Sequence, residues 1–234
     1  MRIRALVLIP VVMLFAMLSA VPVRAAGGET ARVAAAADVM NQIMKIPEKS
    51  IPPALLSGAQ GLAIVPGVIK LGFVVGGQYG RGIVVVREKD GSWSEPVFVT
   101  LTSGSVGWQI GAESTDFVIV FKNRKSIDGI LNGKYTLGAD AAVAAGPVGR
   151  RAEAATDTKL AAEIYSYSRN RGLFAGVSLE GSALQVDDAA DAAFYGREGI
   201  GASEIVNGKG LTTPAAAVRL ERTLDRYTHP APKG

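Results

Sequence analysis

The sequence predicts an α+β fold: a strongly curved, glycine-rich antiparallel β-sheet or barrel-like core packed by N- and C-terminal helices. Three observations carry this. Apolar residues recur with a helical period towards both ends of the chain, over 33–44 and 217–227. Between them lie short runs rich in β-branched residues, bounded by glycine or turn residues. Twenty-five of the 28 glycines fall between Gly58 and Gly210, many inside those runs. Glycine weakens a strand unless backbones approach closely, a bulge bends the sheet or a ligand comes near, so repetition on this scale points to strong curvature. An outer-membrane barrel would need aromatic girdles, and only 6% of the residues are aromatic.

The elements follow in order. Glu29 to Ile46 reads as a helix that Thr30 can cap, with Val33, Ala36, Ala37, Met40, Ile43 and Met44 on one face and Pro47 as the stop. A short helix through Pro52 to Leu56 tolerates proline in its first turn. Strands are expected at Leu62–Val65, Phe73–Val75, Ile83–Val86, Val97–Leu101 and Phe117–Phe121, with Asp90-Gly91 as a hairpin signal. Ser126–Leu131 is a short helix ended by Asn132-Gly133. A second β-rich section covers Tyr135–Val148, Ala162–Tyr167 and Leu173–Val186. Thr213-Pro214 starts a last helix through Tyr227, with Arg219, Arg222 and Arg226 opposite its apolar face, and the tail from Thr228 to Gly234 is expected to be loose.

The first 25 residues read as a segment apart. Arg2 and Arg4, the apolar run Ala5–Leu18 and the ending Val23-Arg24-Ala25 have the form of a Sec signal peptide cut after Ala25. The expectation is a periplasmic or secreted protein with one domain over 26–228 and a tail over 229–234. Three arginines and no acid would leave with the signal, taking the formal charge from +4 to +1. That removes any global field for nucleic acid, so an anion site must be a local cluster. There are no cysteines, so stability must come from packing.

The catalytic inventory is thin. The one histidine, His229, lies near the end of the chain, so no Ser–His, Cys–His or multi-histidine metal site can be built. Gly129 to Tyr135 has one spacer too few for a P-loop and a tyrosine where a hydroxyl should hold magnesium. Gly176 to Gly181 lacks the second glycine of a nucleophile elbow. Asp187, Asp188 and Asp191 suit a divalent cation, but they suit a helix N-terminus better. Neither a catalytic site nor a cofactor is expected. What remains is anion recognition by Lys70, Arg81, Lys122, Arg124, Lys125, Arg150, Arg151, Arg169 and Arg171. A cation at an anionic membrane contributes about 1 kcal/mol, so four give a dissociation constant only on the order of millimolar. Apolar insertion would have to add to this, and the helix face Val33, Met40, Ile43 and Met44 is the candidate.

Several blocks together have a family look: Gly61-Leu62-Ala63-Ile64-Val65-Pro66, Lys70 to Gly77 with Gly80-Arg81-Gly82, Gly91 to Pro96, Gly107 to Glu113, Ala145 to Arg150, Tyr165 to Arg169, Gly172 to Gly181 and Phe194-Tyr195-Gly196. In these blocks, spread from Ala31 to about Gly208, the chain resembles the SYLF-domain family. The resemblance implies a non-enzymatic lipid-binding domain that associates with anionic, phosphoinositide-like headgroups. The place of Lys70, Arg81, Arg150 and Arg169 in the motifs makes them the expected headgroup contacts. The partner expected is a phospholipid or membrane surface, with a protein partner as a second. The alternative is a periplasmic structural or protein-interaction scaffold without a lipid ligand.

Overall fold

The computed structural model describes residues 26–45, 50–72, 75–106, 114–148, 162–170, 173–208 and 210–229. Helix α1 (Ala26–Met44) begins earlier than the capping pattern suggested, so Thr30 lies inside it. Helix α2 (Pro53–Ser57) leads into two long strands, β1 (Gly61–Gly72) and β2 (Val75–Val86), where the sequence showed three short runs. Strands β3 (Val97–Val106) and β4 (Ser114–Phe121) follow. Helix α3 (Arg124–Leu131) is capped by Asn123, whose side chain accepts from the Ser126 amide at 2.9 Å. The second β section resolves into β5 (Lys134–Thr136), β6 (Val143–Ala145), β7 (Ile164–Asn170), β8 (Leu173–Gly176) and β9 (Ala183–Val186). Helices α4 (Asp188–Tyr195), α5 (Ala202–Val206) and α6 (Ala215–Thr228) complete the described elements.

One sheet joins all nine strands, in the order β5-β9-β3-β2-β1-β4-β7-β6, with β8 also on β7. Every pairing is antiparallel except that of β6 with β7, so the sheet is mixed. Chain length shows why it must curl. β5 and β6 stand at opposite ends of the order, which in a flat sheet lie about 34 Å apart, seven spacings of about 4.8 Å. The chain from Thr136 to Val143 reaches at most about 25 Å fully extended. Curling closes the difference, and the result is a half-barrel.

Curvature is concentrated at a bulge in β1. Pairing with β2 shifts between Ile64 and Ile69, and pairing with β4 shifts between Val65 and Val68. Gly67 turns there with φ +60°, its amide donating to Asp116 Oδ1 at 2.9 Å. A Cβ on Gly82 would stand 2.3 Å from the Ile64 carbonyl oxygen, so the bulge requires glycine opposite it. A Cβ on Gly176 would stand 1.9 Å from the Gly146 carbonyl oxygen, a second backbone-on-backbone contact. These are the close approaches that the glycine pattern foretold.

The sheet is buried on both faces, which explains its unbroken apolar runs. Leu62, Ile64, Ile83, Val85, Phe98, Val118, Val120 and Tyr167 pack against α1, α4 and α6. Ala63, Val65, Val84, Val86, Val99, Phe117 and Ile119 fill the inner face with Ile127 and Ile130 of α3 and Ile205 of α5. Helix α6 contributes Ala217, Leu220 and Leu224, and each buried leucine stabilises by about 2 kcal/mol.

Two expectations change here. Val33 and Met40 are fully buried and Ile43 nearly so, while Met44 packs against the same core. The α1 apolar face is therefore covered by sheet and α6, and in this fold it has no surface to offer a bilayer. The tail expected to be loose from Thr228 is seated at its first two residues. Thr228 is buried and its hydroxyl accepts from Trp93 Nε1 at 3.3 Å, and His229 Nε2 lies 3.2 Å from Arg87 Nη1. Residues 230–234, like the signal-like segment 1–25, lie outside the described residues.

Candidate functional site

The large apolar side chains exposed among the described residues are Ile69, Tyr79 and Leu173, and Leu173 is the most open at 77%. Pairing places all three at one level of the sheet. Tyr79 lies opposite Ile69, and Ile69 lies opposite Ser114 at the start of β4. Asp116 lies opposite Arg169, and the next residue of β7, Asn170, lies opposite Leu173. From Tyr79 on β2 to Leu173 on β8 is four strand spacings, about 19 Å. By strand alternation Ile69 and Tyr79 continue the helix-covered face and Leu173 the inner face. They form a rim at the end of the sheet towards the β1–β2, β3–β4 and β7–β8 connections.

The expected cations divide between this rim and the other end. Lys70, half-buried, sits beside Ile69 and opposite Gln78. Arg81 is exposed, and its Nε donates to the Tyr79 hydroxyl at 3.0 Å. That bond, aided by the charges of Asp187 and Glu29, holds the guanidinium's pKa above its ordinary value. Arg169 is also at the rim, but it is paired with Asp116, the carboxylate that holds the Gly67 amide. It therefore locks β7 to β4 and the β1 bulge, and adds no free charge.

Lys122, Arg124 and Lys125 follow the far end of β4. Six residues of strand, about 20 Å, separate Lys122 from Asp116. Lys122 lies over the Tyr165 ring at 5.9 Å. Arg124 pairs with Asp128 at 3.3 Å and donates to the Arg87 carbonyl. The six described cations thus do not converge on one site: Lys70, Arg81 and the paired Arg169 stand at the rim, while the turn after β4 serves the opposite end. Arg150, Arg151 and Arg171 lie outside the described residues. Sequence reasoning missed the apolar half of the rim. The signals were Ile69 and Tyr79 flanking a glycine-rich hairpin, and Leu173 directly after Gly172.

The acidic cluster resolves as a helix start. Asp187 caps α4, its side chain accepting from the Ala190 amide at 3.2 Å, and Arg32 approaches it at 3.5 Å. Asp191 is fully buried, one oxygen accepting from the Phe98 amide at 2.8 Å and the other, Oδ2, without a hydrogen-bond partner among the described residues. Burial pushes its pKa up to about 7.

Fold and rim together define an α+β protein built on a curled, helix-wrapped sheet, whose candidate site is an amphiphilic edge. The chain belongs to the Ysc84 family, the SYLF-domain proteins: the family model described as "Ysc84: Las17-binding protein actin regulator" matches residues 102–227. It is 39% identical over 183 residues to SH3 domain-containing YSC84-like protein 1 of Xenopus laevis, covering 78% of this chain and 54% of that protein. It is 42% identical over 181 residues to an SH3 domain-containing protein of Schizosaccharomyces pombe, covering 76% and 41%. With LAS seventeen-binding protein 3 of Saccharomyces cerevisiae the identity is 39% over 181 residues, covering 76% and 39%. The chain thus spans about half or less of the length of these relatives.

Proposed function

We propose that this chain is an exported, non-enzymatic domain that associates with anionic phospholipid surfaces through the sheet rim. The observation that carries the reading is the grouping of Ile69, Tyr79 and Leu173 at one register level with Lys70 and Arg81 beside them. Exposed apolar side chains cost free energy in water, and a row of them along one sheet rim with cations beside it fits an anionic interface. Covering three partly exposed side chains contributes about 3 kcal/mol and two cations about 2 kcal/mol more. The sum corresponds to a dissociation constant on the order of 0.2 mM, about fivefold tighter than four cations alone. Export rests on the signal-like segment. No helix among the described residues is long and apolar enough to cross a membrane.

Co-sedimentation with phosphatidylglycerol-rich vesicles tests the reading. The chain should pellet with them and not with phosphatidylcholine alone. The triple variant Ile69→Ser, Tyr79→Ser, Leu173→Ser should lose pelleting, whereas Lys122→Ala, Arg124→Ala, Lys125→Ala should keep it. Equal pelleting by the first triple variant and the parent would refute the rim.

A second reading, a protein-interaction scaffold, is favoured by what the relatives are called: a LAS seventeen-binding protein and an actin regulator. It predicts a partner recovered by crosslinking and no response to vesicles.

A further inference from the structure

The outer side of the helical layer carries a groove that the rim does not use. It has a volume of about 440 Å³ and is lined by Asn41 of α1 and by Ala215, Val218, Arg219, Arg222, Thr223 and Arg226 of α6. The opposite side of α6 packs into the core through Ala217, Leu220 and Leu224, so the arginines cannot turn inward. Arg219 Nη2 donates to Asp38 Oδ1 at 2.7 Å, so the protein already seats one carboxylate at this site. Arg222 and Arg226 are exposed, and neither has an ion pair or hydrogen bond among the described residues.

We propose that this α1–α6 groove binds an acidic peptide segment of a protein partner, one with carboxylates at alternate residues and small apolar side chains between them. The charge is complementary: three guanidinium groups face one internal carboxylate, and guanidinium pairs with carboxylate through a planar fork. The spacing fits as well. Arg222 and Arg226 are four residues apart on a helix, about 6 Å along its axis. Residues i and i+2 of an extended chain are separated by about 6.7 Å. Ala215 and Val218 supply apolar wall at one end and Thr223 and Asn41 supply polar groups in the middle. A concave cleft between helices is filled by side chains and passed over by a flat bilayer, and this one lies on the helical layer, away from the rim.

The test uses the full exported chain and a fluorescein-labelled Glu-Ala-Glu-Leu-Glu-Ala-Glu peptide, followed by anisotropy. The glutamine counterpart should bind at least tenfold more weakly, and Arg222→Gln with Arg226→Gln should weaken the acidic peptide at least tenfold while leaving vesicle pelleting unchanged. Both positions are exposed, so the variant keeps its fold, checked by an unchanged thermal midpoint. Equal binding of the two peptides, no binding of either, or an unaffected double variant would overturn the proposal. So would a double variant that loses vesicle pelleting, because the arginines would then belong to the membrane contact.

Discussion

At the end of the sheet where β1 begins, Arg87 gathers the chain. Its guanidinium donates to the carbonyls of Leu56, Ala59 and Gly91, lies 4.4 Å over Trp93 and approaches His229. Burial pushes its pKa down, yet its charge is spread over so many acceptors that it stays seated. At the other end the charged group in the equivalent structural role, Arg169, makes one ion pair with Asp116, and apolar side chains stand in water beside it. Both ends are β-rich and glycine-bounded, and both carry cations. What separates them is whether the cations are consumed by backbone carbonyls or left beside exposed hydrocarbon. A basic residue therefore marks a candidate binding surface where it stands beside exposed hydrocarbon, and not by its charge alone.

The contrast can be broken in several ways. The largest effect is expected from Gly82→Val, which puts a branched side chain where a single Cβ already stands 2.3 Å from the Ile64 carbonyl. The curl that separates the ends should not form, and circular dichroism should find no cooperative unfolding. Next, Arg87→Ala should open the closed end at a cost of about 3 kcal/mol, because the Ala59 and Gly91 carbonyls lose their donor and Leu56 keeps only the Ala59 amide, measured by urea unfolding. Arg169→Ala at the rim should cost less, about 1–2 kcal/mol, because one pair is lost.

Asp191 sharpens the comparison through pH. Its folded-state pKa stands above the ordinary 3.8, at about 7. The folded protein therefore holds a proton that the unfolded chain releases, stability is full below about pH 4, and it declines as pH rises through 7. Asp191→Asn should unfold with the parent at pH 3 and be more stable at pH 8, by about 4 kcal/mol. A variant equal to the parent at both values would mean that the carboxyl is not buried as described. The smallest effect is expected at the solvated turn: Lys122→Ala, Arg124→Ala, Lys125→Ala should change stability by about 0.5 kcal/mol or less, because exposed ion pairs contribute little.

Much of this was legible in the chain. Helical periodicity located α1 and α6, the Asx cluster located the start of α4, and glycines inside β-branched runs announced backbone contacts. Those are local signals, because capping, turn chemistry and side-chain alternation act within a few residues. Strand lengths were less legible. Pro66-Gly67 looks like an interruption, yet the bulge it makes is carried by the neighbours β2 and β4.

The sequence by itself determined the class of fold, the family and the kinds of residue available for contact with anions. The tertiary structure alone decided which of them meet. Val33, Met40 and Ile43 are amphipathic on paper and core in the fold, because α6 and the sheet arrive from far along the chain to cover them. Ile69, Tyr79 and Leu173 look like strand core and are exposed, because the described helices that cover the two faces of the sheet elsewhere do not extend over the rim. Burial is a property of neighbours distant in sequence, and only the folded arrangement supplies them.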